Sequence, residues 1–238
     1  HYDTLTHLPN RRLLADRMHL ALAHSKRANQ MLGVCMLDLD SFKPVNDLYG
    51  HKVGDLLLIE VARRLQESVR SDDTVARLGG DEFVLLLGEL GGLRELEEAL
   101  RRLLHILSMP YTISELPIMV SASIGVTVYP NDSGDADTLL RHADHAMYLA
   151  KEAGKNRFIL FNPVLEERER DNRAALELIG KAVADNQLRL HYQPIVDCRR
   201  GMVVGMEALL RWQHPILGMM GPAEFLPLVE TDDNLALS

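Results

Sequence analysis

Two short stretches of this sequence place acids where chemistry could be done. "MLGVCMLDLD" (residues 31–40) is an apolar run that ends in Asp38 and Asp40, and "RLGGDEF" (residues 77–83) sets Asp81 and Glu82 directly after a glycine pair. Carboxylates are hard oxygen donors. A Mg²⁺ ion bound with a nucleotide takes one or two of them, and phosphate oxygens and water complete its shell. Asp38 and Asp40 stand at i and i+2 near a strand end, a spacing that points both to one face of a regular strand. If that strand pairs beside the glycine hairpin, Asp38 and Asp81 converge at one edge. Each acid pair read by itself also fits a solvated strand end or loop tip, because DxD and GGD are common loop chemistry.

The elements that must position these acids follow from the apolar pattern. Residues 9–29 are expected to form a helix, with Pro9 at its first position and Leu13, Leu14, Met18, Leu20, Leu22 and Ala23 recurring at helical spacing. Residues 31–40 read as a buried strand. Residues 41–50 fit a short helix with Ser41 as N-cap, Pro44 in the first turn and Gly50 as its stop. A longer helix over 52–69 carries Leu58, Ala62, Leu65 and Val69 on one face. Residues 74–90 are two strand-like runs around Gly79-Gly80, a hairpin signal. Then come a helix over 92–108, a strand over 117–130 with small residues interleaved, a helix over 135–153 and a short strand over 156–162. This order predicts an α/β domain: a ferredoxin-like βαββαβ core with additions, its mixed or antiparallel sheet flanked by helices.

The texture changes after Asn162. Residues 163–186 are charged and helical and read as a linker helix, while 188–197 and 202–212 read as two new strands. Residues 214–230 combine turn residues with a short helix. The expected organisation is therefore a first domain over 1–162, a linker over 163–186, and the opening elements of a second domain over 187–238.

Composition sets the outer bounds. A hydrophobic content of 47% supports a sizeable core, and a net charge of −8 leaves no basic patch for a general nucleic-acid or anionic-membrane binder. Cys35 lies in an apolar run and Cys198 is distant in sequence, so neither a disulfide framework nor a zinc spacing is visible and a reducing compartment is expected. No apolar run approaches the ~20 residues of a spanning helix. No membrane contact by this segment is therefore expected. The cytoplasm is the expected location, with any membrane tether left to upstream regions of a longer parent, since the chain starts at His1 and reads as an excised piece.

Four motifs in order carry a resemblance. "DTLTHLPNRR" (3–12), "DLDSFKPVNDLYGHKVGD" (38–55), "RLGGDEF" and "ADHAMYLAKEAGKN" (143–156) together resemble the GGDEF family of diguanylate cyclases over about residues 1–162. The resemblance implies that two GTP molecules are joined into cyclic di-GMP with loss of two pyrophosphates, each 3′-hydroxyl attacking the other nucleotide's α-phosphorus. It implies a Mg²⁺ or Mn²⁺ cofactor on Asp38, the Leu39 carbonyl and Asp81. Asp81 would also activate the hydroxyl, with Glu82 adjacent. Asn46 and Asp55 match guanine readers, and His51 falls on a nucleotide-contact position. A carboxylate can accept from guanine's N1–H and exocyclic amine, a pair adenine lacks. Lys151 and Lys155 match phosphate contacts, the second often an arginine in the family; lysine acts there as a point charge without arginine's fork. His7 stands where the family's opening motif commonly has glycine. Two half-sites imply a homodimer.

The same resemblance assigns Arg70 and Asp73 of "RSDD" to an RxxD product-inhibition site, with Arg101 as its second arginine. "LHYQPIVD", "GMEALLRWQHP" and "GPAEFLPLVE" resemble the start of an EAL domain, a family of cyclic di-GMP phosphodiesterases on a TIM-like barrel. Gln193, Glu207 and Arg211 match its substrate and metal positions. A TIM barrel takes ~250 residues, so no phosphodiesterase activity is expected from this stretch. The competing expectation for the whole is a silent module that binds GTP or cyclic di-GMP and regulates an adjoining EAL domain.

Overall fold

The computed structural model describes residues 1–221 and Glu224, and within 163–184 all side chains except those of residues 167, 169–176 and 178. It divides into two units, His1–Pro163 and Val164–Ser238.

The first unit runs α1 (Arg11–Ala28), β1 (Met31–Asp40), α2 (Phe42–Tyr49), α3 (His51–Ser68), β2 (Thr74–Gly79), β3 (Glu82–Leu90), α4 (Leu93–Ser108), β4 (Tyr111–Ile113), β5 (Leu116–Ile118), β6 (Ser121–Tyr129), α5 (Ala136–Glu152) and β7 (Arg157–Leu160). Five strands form one sheet in the order β2-β3-β1-β6-β7. All neighbours are antiparallel except β6 and β7, which are parallel, so the sheet is mixed. β1, α3, β2, β3, α4 and β6 make the ferredoxin-like core.

The central strand β1 is apolar from Met31 to Leu37 because both of its faces are covered there. Cys35, Leu37 and Leu39 join the cluster that contains Leu57, Val61 and Leu65 of α3 and Leu96, Leu100 and Leu103 of α4. Leu32, Val34 and Met36 join the cluster with Leu14 and Met18 of α1 and Leu139, Ala143 and Met147 of α5. Alternation carries Asp38 and Asp40 onto this second face, the one that α5 covers. Burial pushes the Cys35 thiol far up from its ordinary range, as suits an inert core residue.

Three local expectations are corrected. Helix α1 starts at Arg11 rather than at Pro9. Asn10 is its N-cap and accepts from the Arg12 and Leu13 amides, while Pro9 bridges to Tyr2. The short polar cap outcompetes proline because it satisfies two free amides. Ser41 is not a side-chain cap; it sits at φ 63° and turns the end of β1 sharply into α2. The strand expected over 117–130 is split. Tyr111–Ile118 is a separate small hairpin, turned by Ser114 and Glu115, both at positive φ, and β6 begins at Ser121. The turn carries no glycine, so its residue types give no hairpin signal.

His7 adopts φ 59°, the conformation glycine favours, and it is exposed. The turn geometry of the opening motif is kept at a steric cost. His7→Gly is expected to raise stability by up to about 1 kcal/mol in urea unfolding. A decrease would show that the side chain holds a contact worth more than the strain.

In the second unit, α6 (Pro163–Ala184) precedes β8 (Leu188–Asp197), β9 (Met202–His214) and β10 (Gly218–Met220). The strands form an antiparallel sheet, β10-β9-β8, and Ile179 and Ala182 of α6 pack on Trp212. Among the described residues these strands close no barrel. The short helix expected within 214–230 falls beyond residue 221, outside the described residues apart from Glu224.

Candidate functional site

Asp38, Asp40 and Asp81 do converge. With Leu39, Ser41, Phe42, Lys43, Pro44, Lys151 and Lys155 they line one cleft of about 210 Å³ at the end of the central strand. A larger hollow of about 590 Å³, lined by Arg17, His24, Asp72 and Glu89 among others, lies elsewhere. Convergent charge, rather than size, marks the smaller cleft as the site.

Each acid reaches the cleft for a structural reason. Asp38 pairs in register with Glu82 on β3 and Ser123 on β6, so it stands in the middle of the sheet's end. Asp81 sits in the turn between β2 and β3, beside Gly80 at φ 52°. Lys151, in the last turn of α5, places its ammonium 2.8 Å from Asp38 Oδ1. The Asp38 carboxyl is held above its usual range. Burial is the main cause, the Lys151 hydrogen bond opposes it, and the charges of Asp81 and Glu82 add to it.

Among the described residues no three His, Cys, Asp or Glu side chains cluster as a complete cation site. The donor set is nevertheless hard: the carboxylates of Asp38 and Asp81 line the cleft beside Leu39. It fits a divalent ion that brings phosphate oxygens with it. Lys43, Lys151 and Lys155 add three cations to the same cleft, matching the three carboxylates in its lining.

Asp40 has a different environment. Its oxygens accept from Ser121 Oγ at 2.6 Å, Ser123 Oγ at 2.7 Å and the Asn156 amide at 3.0 Å. The serines interleaved in β6 were visible in the sequence as small residues; their partner was not.

The hairpin turn is gripped from beneath by Arg77, which is only 8% exposed. Its Nε and Nη2 donate to the Gly80 carbonyl at 3.0 and 2.7 Å, and Nη1 donates to Asp3 Oδ1 at 2.8 Å. The same Asp3 oxygen accepts from the Thr6 amide and hydroxyl. Burial works to raise the Asp3 carboxyl, but these donors outweigh it and hold it below its ordinary value. The opening motif therefore braces the turn that carries Asp81. Neither Arg77 nor Asp3 was picked out from sequence, although an arginine inside an apolar strand was the available signal. Arg77→Ala is expected to cost about 3 kcal/mol, because it strands a partly buried carboxylate and frees the Gly80 carbonyl. A loss under about 1 kcal/mol in chemical denaturation would contradict this brace.

Asn46, His51 and Asp55 lie where α2 ends and α3 begins; His51 and Asp55 are exposed. Asn46 Oδ1 is buried without a hydrogen-bond partner. A Cβ on Gly54 would stand 1.9 Å from that oxygen, so glycine beside Asp55 is what makes room for the amide. None of the three lines the acidic cleft itself.

Arg70 and Asp73 line a groove of about 230 Å³ together with Glu95 and Arg102. Arg70 Nη2 is bound to Glu95 at 2.6 Å. Asp73 accepts from the backbone amides of Arg70 and Gly88, both at 2.9 Å. Arg101 is elsewhere, paired with Glu97 at 2.7 Å; its neighbour Arg102 is the arginine in the groove.

In the second unit Gln193 and Glu207 are direct cross-strand partners, and Arg211 lies opposite Arg189. Trp212, the next residue, takes the face that packs on α6. Alternation leaves Glu207 and Arg211 on the other face.

Comparison with known proteins identifies the family. Residues 1–157 match the model of the diguanylate cyclase, GGDEF domain, and residues 177–237 match that of the EAL domain. The bifunctional diguanylate cyclase/cyclic di-GMP phosphodiesterase MucR of Pseudomonas aeruginosa is 45% identical over 96% of this chain and 33% of its own length. The cyclic di-GMP phosphodiesterase PdeR of Escherichia coli is 38% identical over 96% of this chain and 34% of its own. The chain thus spans about a third of the length of these curated relatives. Among solved structures, the GGDEF domain of YfiN (TpbB) from Pseudomonas aeruginosa superposes with a TM-score of 0.65 at 34% identity, over 68% of this chain and 95% of that one. An EAL/GGDEF domain protein from M. capsulatus gives a TM-score of 0.57 at 42% identity, over 65% of this chain and all of that one. The chain belongs to the family of diguanylate cyclase GGDEF domains over residues 1–157, and a stretch of the EAL family follows.

Proposed function

We propose that the first unit condenses two GTP molecules to cyclic di-GMP and two pyrophosphates. The observation that carries this reading is the gathering of Asp38, Asp81, Lys151 and Lys155 around one cleft. A divalent ion, Mg²⁺ or Mn²⁺, held by Asp38, the Leu39 carbonyl and Asp81 would offset the triphosphate charge and make the 3′-hydroxyl more acidic. Lys151 and Lys155 hold phosphate oxygens; Lys151 exchanges its contact with Asp38 for one with the nucleotide. Asn46 and Asp55 read the guanine edge, with His51 nearby. Asp81 takes the hydroxyl proton, and Glu82 keeps the local field negative. One chain offers one half-site, so turnover requires two copies facing each other.

Product feedback belongs to the same reading. Cyclic di-GMP would enter the groove of Arg70, Asp73 and Arg102 and displace Glu95 from Arg70. Arg70→Ala is expected to relieve inhibition by added cyclic di-GMP at least about tenfold, without loss of initial rate. Unchanged inhibition would remove Arg70 from the site.

A second reading has its own support. PdeR, named a phosphodiesterase, aligns over the same stretch, which favours a silent GGDEF module controlling an EAL partner. Incubation with GTP and Mg²⁺ separates the two. Cyclic di-GMP and pyrophosphate support the cyclase; saturable GTP binding without product supports the regulatory module.

A further inference from the structure

We propose that Asp40 is a positioning residue for the phosphate-binding loop, tying it to the end of the central strand, and is not a metal ligand. The inference rests on the reading of the cleft as a GTP phosphate site. Asp40 is 4% exposed. Oδ1 accepts from Ser123, and Oδ2 accepts from both Ser121 and the Asn156 amide. A buried carboxylate with both oxygens engaged has its charge satisfied by the protein itself. Asp38, two residues earlier on the same face, instead has Lys151 as its partner.

What Asp40 holds is unusual backbone. Gly154, Lys155 and Asn156 are successive left-handed residues at φ 109°, 60° and 45°. Two of the three are not glycine, and such a run persists only where its surroundings fix it. The amide of Lys155 closes on the Ala150 carbonyl at 3.0 Å, at the end of α5. The amide of Asn156 closes on Asp40. Immediately afterwards Arg157 enters β7, in register with Ser123, whose hydroxyl also donates to Asp40. Lys155 is therefore held at the cleft by its own amide on α5 and by the next amide on Asp40.

The chemistry of asparagine separates positioning from metal binding. Asp40→Asn keeps one oxygen for Ser121 and the Asn156 amide, while its NH₂ can donate to Ser123, whose hydroxyl rotates to accept. The tie survives and only the charge is lost. Asp40→Ala removes the tie. Three readouts on the full chain are compared with those of Asp81→Asn: amide exchange at Asn156, affinity for GTP and the Mg²⁺ concentration for half-maximal effect. The expected result is that Asp40→Ala speeds Asn156 exchange and weakens GTP binding, each about tenfold, with the Mg²⁺ requirement unchanged. Asp40→Asn should match wild type in all three. A raised Mg²⁺ requirement in Asp40→Asn, like that of Asp81→Asn, would overturn the proposal, and this arm holds even if Asp40→Ala fails to fold. Unchanged Asn156 exchange in Asp40→Ala would overturn it too. If wild type binds no GTP, the phosphate-site reading fails, while Asn156 exchange still decides whether the tie exists.

Discussion

Asp81→Asn is expected to lower cyclic di-GMP formation from GTP at least ~100-fold while shifting the melting temperature by no more than about 2 °C. The separation of the two effects follows from where Asp81 stands. It is half-buried in the turn between β2 and β3, and the turn is held by Arg77 through the Gly80 carbonyl rather than by the Asp81 side chain. Asparagine keeps the shape, so the brace remains. What it removes is one of the two carboxylates that give the cleft its hard donor set, together with the proton acceptor. The neighbouring Asp38 should also respond. Its carboxyl is raised partly by the charge of Asp81, so neutralising Asp81 should lower the Asp38 pKa, measurable by NMR titration of the carboxyl carbon. Full activity in a folded Asp81→Asn protein would remove this residue from the chemistry.

Gly125→Ala is expected to be the most damaging single methyl in the first unit, lowering stability by about 3 kcal/mol or more. Gly125 lies on β6 opposite Met36 of β1 and beside Ile159 of β7. A Cβ there would stand 2.0 Å from both the Ala143 carbonyl oxygen and the Met147 nitrogen, and 2.7 Å from the Ala146 carbonyl carbon. These are backbone atoms of α5, which no rotamer change can move aside. The helix must lift off the sheet, and Lys151 on its last turn is carried away from Asp38. Urea unfolding should show the loss, and GTP affinity should fall with it. A Gly125→Ala protein as stable as wild type would contradict the close packing of α5 on β6.

How far the sequence could be read is clearest on β6 itself. Its side chains alternate in kind: Ala122, Ile124, Val126 and Val128 all join the cluster with α3 and α4. Ser123, Gly125 and Thr127 are the interleaved small residues. The alternation was visible as pattern and gave a strand. That the small face meets the backbone of the following helix at Gly125 depends on packing, and that it meets a buried carboxylate at Ser123 depends on a neighbour 83 residues away in the chain. No local window contains that information. The same division holds at the cleft. The convergence of Asp38 with Asp81 was inferable from one strand pairing. The brace from Asp3 through Arg77, which spans seventy-four residues, was not.

Turn chemistry accounts for most of the remaining misses. Ser114 and Glu115 reverse the chain at positive φ without glycine, and Ser41 does the same between β1 and α2. Residues of this kind carry no compositional mark, because tertiary packing rather than propensity holds them in the left-handed region. His7 is the reverse case. The resemblance showed a missing glycine, and the structure shows that histidine takes the glycine conformation.

The claim on which the functional reading turns is that Asp38, Asp81, Lys151 and Lys155 form one site for a divalent ion and the GTP triphosphate. Electron paramagnetic resonance of Mn²⁺ tests it most directly. Titration of the protein with Mn²⁺, with and without GTP, reports bound ion whether or not turnover occurs. The expected result is Mn²⁺ binding that GTP strengthens in wild type and that is lost, at least ~10-fold, in folded Asp38→Asn and Asp81→Asn proteins. Equal Mn²⁺ affinity in wild type and both variants, with GTP present, would contradict the site.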